Sequence, residues 1–147
     1  MTQRLTALAA LSIALLANTA SAQNAPLDAA AKEPGAVVTT SGLVFRSLKD
    51  GSGAKPGASD VVKVHYRGTF PDGKEFDSSY ARGTPIEFPL NRVIPCWTEG
   101  VQRMAVGSKA RLTCPSRIAY GERGAGGVIP PNATLVFEVE LLGVNGK

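Results

Sequence analysis

Val61-Val62-Lys63-Val64-His65-Tyr66-Arg67 alternates so that Val62, Val64 and Tyr66 share one face and Lys63, His65 and Arg67 the other. A period of two marks a half-buried strand. Downstream, Pro71-Asp72-Gly73 reads as a tight turn and Ile86 to Leu90 as a further short strand. Upstream, Leu43 to Leu48 is a strand candidate, closed by Asp50-Gly51-Ser52-Gly53 and Lys55-Pro56-Gly57. Lys109 to Cys114 and Leu135 to Leu142 complete a set of about five strands. In the last of these, Leu135, Phe137, Val139 and Leu141 form the apolar face, and Glu138 and Glu140 point to water. One helix interrupts the pattern. Pro95 suits a first helical position, Trp97, Val101 and Met104 recur at steps of four and three, and Gly107 ends it. A sheet with one helix across its apolar face buries both stripes, so the fold class is α+β.

The N-terminus reads as an export signal. Arg4 precedes an apolar run from Leu5 to Leu16, and Ala20-Ser21-Ala22 supplies a small-residue cleavage site. The run is short of the roughly 20 residues that span a bilayer. Residues 1–22 are therefore expected to be a signal peptide, with no lipid or membrane anchor on the chain that follows. Residues 23–36, rich in Ala, Pro and small polar residues, are expected to be a flexible leader. The domain proper is expected over residues 37–147. Sixteen Lys and Arg against twelve Asp and Glu give a net charge of +4, spread singly, which argues against nucleic acid as a partner. Export would place Cys96 and Cys114, eighteen positions apart, in an oxidising compartment where a pair tends to bond. Two free buried thiols and a metal pair are the alternatives.

The chain lacks the usual machinery of covalent catalysis. Its one histidine, His65, falls on the outward face of its strand. No glycine-rich loop leads into a helix through Lys-Ser or Lys-Thr, so no phosphate cradle is indicated. Asp72, Glu75 and Asp77 cluster round one turn, and only Asp77 sits beside an apolar neighbour, Phe76. Two cysteines and one histidine make a poor ligand set, so neither a metal nor another cofactor is expected. Any chemistry here must need no nucleophile, base or metal.

Five segments share one further property. Val64-His65-Tyr66-Arg67-Gly68, Phe70 to Ser79, Val93-Ile94-Pro95-Cys96-Trp97-Thr98-Glu99-Gly100-Val101, Ala119-Tyr120-Gly121 and Val128 to Leu141 each resemble segments of the FKBP family of prolyl isomerases, in family order. The resemblance covers roughly Leu43 to Val144. It implies a strongly bent antiparallel sheet wrapped round the helix, with an apolar cleft between them. Trp97 matches the cleft floor, and Tyr66, Phe76, Val93, Ile94, Tyr120 and Phe137 match its walls. Asp77 matches an acidic rim residue, the Ile94 N–H a carbonyl-binding donor, and Val128 and Ile129 an apolar flap. Ile86 and Ala125 depart from the commoner residues at the cleft margin. Taken singly, Trp97, Phe76 and Phe137 read as core residues.

The activity implied is rotation of X–Pro bonds in exported, proline-containing polypeptides, in the periplasm or outside the cell, with macrolides as inhibitors. A proline-peptide or unfolded-chain binding module and a host-interaction factor are the alternatives. Asp77, Tyr120 and Trp97 are the residues expected to carry catalysis, Asp77 by pairing with Arg82 or Tyr66 and not by moving a proton. A leader too short for a dimerisation arm points to a monomer. A Cys96–Cys114 bond would tie the start of the helix to a strand.

Overall fold

The alternation that opens the clearest strand is realised in β3 (Val61–Thr69), where Val62, Val64, Tyr66 and Gly68 turn inward. The computed structural model describes residues 24–147, so the export-signal reading of residues 1–22 lies outside the described residues. β3 pairs antiparallel with β7 (Leu135–Val144) from Val62 opposite Val144 to Thr69 opposite Val136. β6 (Lys109–Cys114) lies on the far side of β7, followed by β2 (Val44–Lys49) and the two-residue β1 (Val37–Val38). The other edge of β3 is shared by β4 (Glu75–Ser78) and β5 (Ile86–Pro89).

The described residues thus form a seven-stranded antiparallel sheet, not one of about five. β1 is too short to show a period, and β4 lies in the carboxylate-bearing stretch read as part of a turn. Register shifts at Ser47/Lys49, Lys63/Val64 and Gly68/Thr69 add local twist, and the sheet curls around one helix.

That helix is α3, Pro95–Gln102, with Pro95 in its first turn and Cys96, Trp97, Gly100 and Val101 buried. It ends before Gly107. The N–H groups of Arg103 and Met104 bond back to the carbonyls of Gly100 and Val101, and Gly107 instead leads into β6 with its N–H on Leu141. Met104 still joins the buried stripe. The core lies between α3 and the inner face of the sheet, where Val62, Val64, Leu112, Leu135, Val139 and Leu141 are fully buried. Gly100 sets the approach of helix to sheet, because a Cβ there would collide with Leu112. A second short helix, α2 (Ser79–Arg82), was not anticipated; Ser78 caps it through its hydroxyl, which accepts from the Ala81 N–H.

The leader is more ordered than its composition suggested. Residues 24–31 form the first helix, α1, and the chain then runs onto the sheet. Glu33 Oε2 accepts from Arg46 at 2.8 Å and from Arg111 at 3.1 Å, while Arg46 Nε donates to the Pro34 carbonyl. Alanine has the highest intrinsic helix propensity, which a reading based on missing aromatics overlooked. The ion pairs are partly exposed, so each adds only a small stabilisation.

Cys96 and Cys114 meet in a disulfide with Cα atoms 6.0 Å apart, joining the first turn of α3 to the end of β6. Reduction is expected to lower the unfolding free energy by about 3 kcal/mol in the chain-entropy model. Urea midpoints with and without reductant measure this; two freely alkylated thiols in the untreated protein would contradict the bond.

Candidate functional site

The inner face of the sheet and the N-terminal end of α3 leave a cavity of about 500 Å³ between them. Its floor is Trp97. The indole is set edge-on to Tyr66 from β3 (5.2 Å, 82°) and to Phe137 from β7 (5.3 Å, 89°). Phe88 from β5 lies 5.5 Å away at 48°. Phe76 from β4 meets Phe137 edge-on at 5.7 Å, and Phe70 backs Phe76 at 5.0 Å. Such offset and edge contacts suit the aromatic quadrupole and hold the rings at fixed tilts. Gly68 makes room for them, since a Cβ at that position would come within 2.6 Å of Phe76 and 3.0 Å of Phe137.

Polar groups gather at one rim. Asp77 accepts from the Tyr66 hydroxyl through Oδ2 and from Arg82 Nη1 through Oδ1 at 2.5 Å. The Ser78 N–H also donates to Oδ1, and Arg82 Nη2 donates to the Tyr66 oxygen at 3.1 Å. Both partners considered for Asp77 are therefore engaged at once. The local chain explains why: α2 begins two residues after Asp77 and carries Arg82 back over the Tyr66 ring, 5.8 Å from its centroid. Ser79, fully buried, locks this turn to β3 by accepting from the Tyr66 N–H at 2.7 Å. Burial by itself would raise the Asp77 carboxyl. Donation from Tyr66 and Arg82, with the charge of Arg82, outweighs it and holds Asp77 below its ordinary value. Burial, and then hydrogen bonding to Asp77, pushes the Tyr66 hydroxyl up. Tyr120 is also pushed up, by burial and then by the Asp77 charge. Its hydroxyl has no hydrogen-bond partner among the described residues and stays available at the rim.

Of the residues singled out from the sequence, the cavity brings together Tyr66, Phe76, Asp77, Val93, Ile94, Trp97, Tyr120 and Phe137. Val128 and Ile129 are not among its walls. The loop closes on itself through paired backbone bonds between Ala125 and Ile129, which turn Ile129 into the core and leave Val128 exposed. Phe88 and Arg92 line the cavity and were missed, and Ile86 is a full wall residue, not a marginal one. Period two along Ile86-Glu87-Phe88 was the available signal for Phe88. Arg92, in a single turn of 3₁₀ helix (Leu90–Arg92), gave none. His65 lies outside the cavity, bonded through Nδ1 to Ser79 and stacked on Tyr80 at 4.5 Å.

Comparison with known proteins agrees with this geometry. The family model described as FKBP-type peptidyl-prolyl cis-trans isomerase matches residues 52–142, and the chain belongs to that family. It is 60% identical over 118 residues to the FKBP-type peptidyl-prolyl cis-trans isomerase FkpA of Aeromonas hydrophila, covering 80% of this chain and 44% of that one. The crystal structure of FkpA from Escherichia coli superposes with a TM-score of 0.82 at 46% identity, covering 87% of this chain and 60% of that one. A peptidyl-prolyl cis-trans isomerase structure from Pseudomonas syringae gives 0.79 at 41% identity, covering 84% and 91%. The chain spans about half the length of the curated relatives it matches.

The lowered Asp77 pKa fixes the sign of a stability effect. A carboxyl depressed in the folded state contributes stability that is fully present above about pH 4, its unfolded value, and lost as pH falls through the folded value. Asp77→Asn is expected to unfold at a lower temperature than the parent at pH 7, with the gap closing below about pH 4. Thermal melts across pH 2–8 check this; a gap that widens in acid would contradict it.

Proposed function

We propose that this protein is a peptidyl-prolyl cis-trans isomerase that rotates X–Pro bonds in exported polypeptides without covalent chemistry. The observation that carries the reading is the aromatic cavity over Trp97 with a single, fully engaged ion pair at its rim. Amide rotation faces a barrier of about 18–20 kcal/mol, most of it lost resonance. The planar amide is the more charge-separated form and the twisted amide the less. Moving the bond from water into an aromatic cavity therefore costs the planar form more, which lowers the barrier by differential stabilisation of the transition state.

In this reading the prolyl ring stacks on Trp97, against Tyr66, Phe76 and Phe137. The Tyr120 hydroxyl and the Ile94 N–H hold the flanking carbonyls. Neither group has a partner within the described residues, so both are free to donate. Asp77 is a positioning residue: paired on both oxygens, it fixes Tyr66 and has no proton to give at neutral pH. Val93 and Ile94 form the wall beneath the substrate backbone. Val128 and Ile129 would act only as a flap at a distance from the bond.

The export signal and the Cys96–Cys114 pair together support action in an oxidising compartment, the periplasm or beyond it. Proline-containing polypeptides are the substrates in this reading, with macrolides as competing ligands. A monomeric state is part of the same proposal.

A protease-coupled isomerisation assay tests it. The parent protein is expected to accelerate isomerisation with a flat kcat/KM from pH 5 to 8. Trp97→Leu and Asp77→Ala should each lower kcat/KM by about tenfold, equivalent to about 1.4 kcal/mol of transition-state stabilisation. No acceleration over the spontaneous rate, with proline peptides still bound, would make the chain a binding module instead.

A further inference from the structure

Beside the aromatic cavity, and separated from it by Val93, runs a second groove of about 590 Å³ along the outside of α3. Val93 is the one residue that lines both. The character changes across it. Asn91, Thr98, Glu99 and Gln102 replace the rings, with Ile118 as an apolar edge.

The hydrogen bonds already made in this groove decide what it presents. The Thr98 hydroxyl donates to the Leu90 carbonyl, and Gln102 Nε2 donates one N–H to the Thr98 carbonyl, which leaves the Gln102 side-chain carbonyl oxygen and its second N–H open to the groove. Glu99 Oε1 accepts from the Ser41 hydroxyl at 2.5 Å, while Oε2 has no partner and Glu99 has no ion pair among the described residues. Of the neighbouring cations, Arg117 is engaged with the Ser41 carbonyl, and neither Arg92 nor Arg103 makes an ion pair with Glu99. At the ridge, the Val93 carbonyl has no hydrogen-bond partner among the described residues. The groove thus holds one carboxylate, Glu99, with a free oxygen and no ion pair among the described residues, flanked by the amides of Asn91 and Gln102, which can donate or accept.

We infer that this groove is a second subsite for the substrate polypeptide, taking a flanking segment that carries a lysine or arginine about two to four residues from the proline, the reach of an extended chain across the ridge. The inference rests on the isomerase reading of the first cavity. The molecule as a whole carries a net charge of +4, which would by itself favour acidic peptides. A preference for basic flanks therefore has to come from a local site.

The experiment compares X–Pro peptides extended on either side with Lys or with Glu, and one short peptide with no extension. On one side of the proline, the Lys peptide should exceed the Glu peptide in kcat/KM by about fivefold at low salt, mainly through KM, and the ratio should shrink at high salt. Glu99→Gln should bring the ratio toward one, and Asn91→Asp, which adds a carboxylate to an exposed position, should raise it. A ratio of one or below on both sides, or a ratio unmoved by both variants, overturns the subsite. If the short peptide is not isomerised either, the reading of the first cavity fails. The groove is then judged from the dissociation constants of the Lys and Glu peptides, read by Trp97 fluorescence, and equal constants overturn it.

Discussion

The rings of Tyr66, Phe88 and Phe137 meet on the Trp97 indole, and the rest of the molecule is arranged to keep them there. They come from β3, β5 and β7, strands that can converge on one helix only in a sheet that curls. α3 supplies the indole in its first turn, where Pro95 starts the helix and the Cys96–Cys114 bond ties that turn to β6. Gly68 and Gly100 mark where backbone must come close, one under the ring cluster and one where the helix meets Leu112. The Trp97 N–H is buried and has no partner among the described residues. A buried unpaired donor costs about 1–3 kcal/mol. A broad, flat floor held at this cost is consistent with a surface kept for a ligand, since a phenylalanine would fill a core without an unpaired donor.

The polar rim works on the opposite principle. Among the described residues Asp77 is the one carboxylate that lines the cavity, and its oxygens are taken up by Tyr66, Arg82 and the Ser78 N–H. Coupling of this kind keeps the carboxylate charged and its neighbours in place. It gives Tyr66 a fixed position against the indole, which is the positioning role proposed for Asp77. Arg92 adds a cation to the cavity lining, next in the chain to the ridge residue Val93. The cavity itself stays aromatic while charge is held at its edges.

Much of this was legible in the residues, for reasons that can be named. β3 and β7 each carry a clean period of two, and the alternating faces are the buried and open faces found. The stripe of Trp97, Val101 and Met104 announced the helix and its direction. The walls were legible through the family resemblance, because any one ring read singly as core. What stayed hidden depends on tertiary context. β1 exists only as a partner for β2, and Arg92 reaches the cavity through a single irregular turn. Ser79 gave no sequence signal of its role, since its bond to the Tyr66 N–H depends on where α2 falls. The loop holding Val128 and Ile129 pairs with itself, which sequence spacing does not reveal. The helix over residues 24–31 rests on alanine propensity, a signal that the lack of aromatic residues there obscures.

The central claim is that an uncharged aromatic surface speeds amide rotation with no proton in flight. The solvent deuterium isotope effect on kcat/KM for a short X–Pro peptide, measured on the pH plateau, tests this most directly. Rotation assisted by desolvation and fixed hydrogen bonds gives a value of about 1, whereas a proton moved by Asp77 or Tyr120 in the transition state would give about 2 or more and contradict the account.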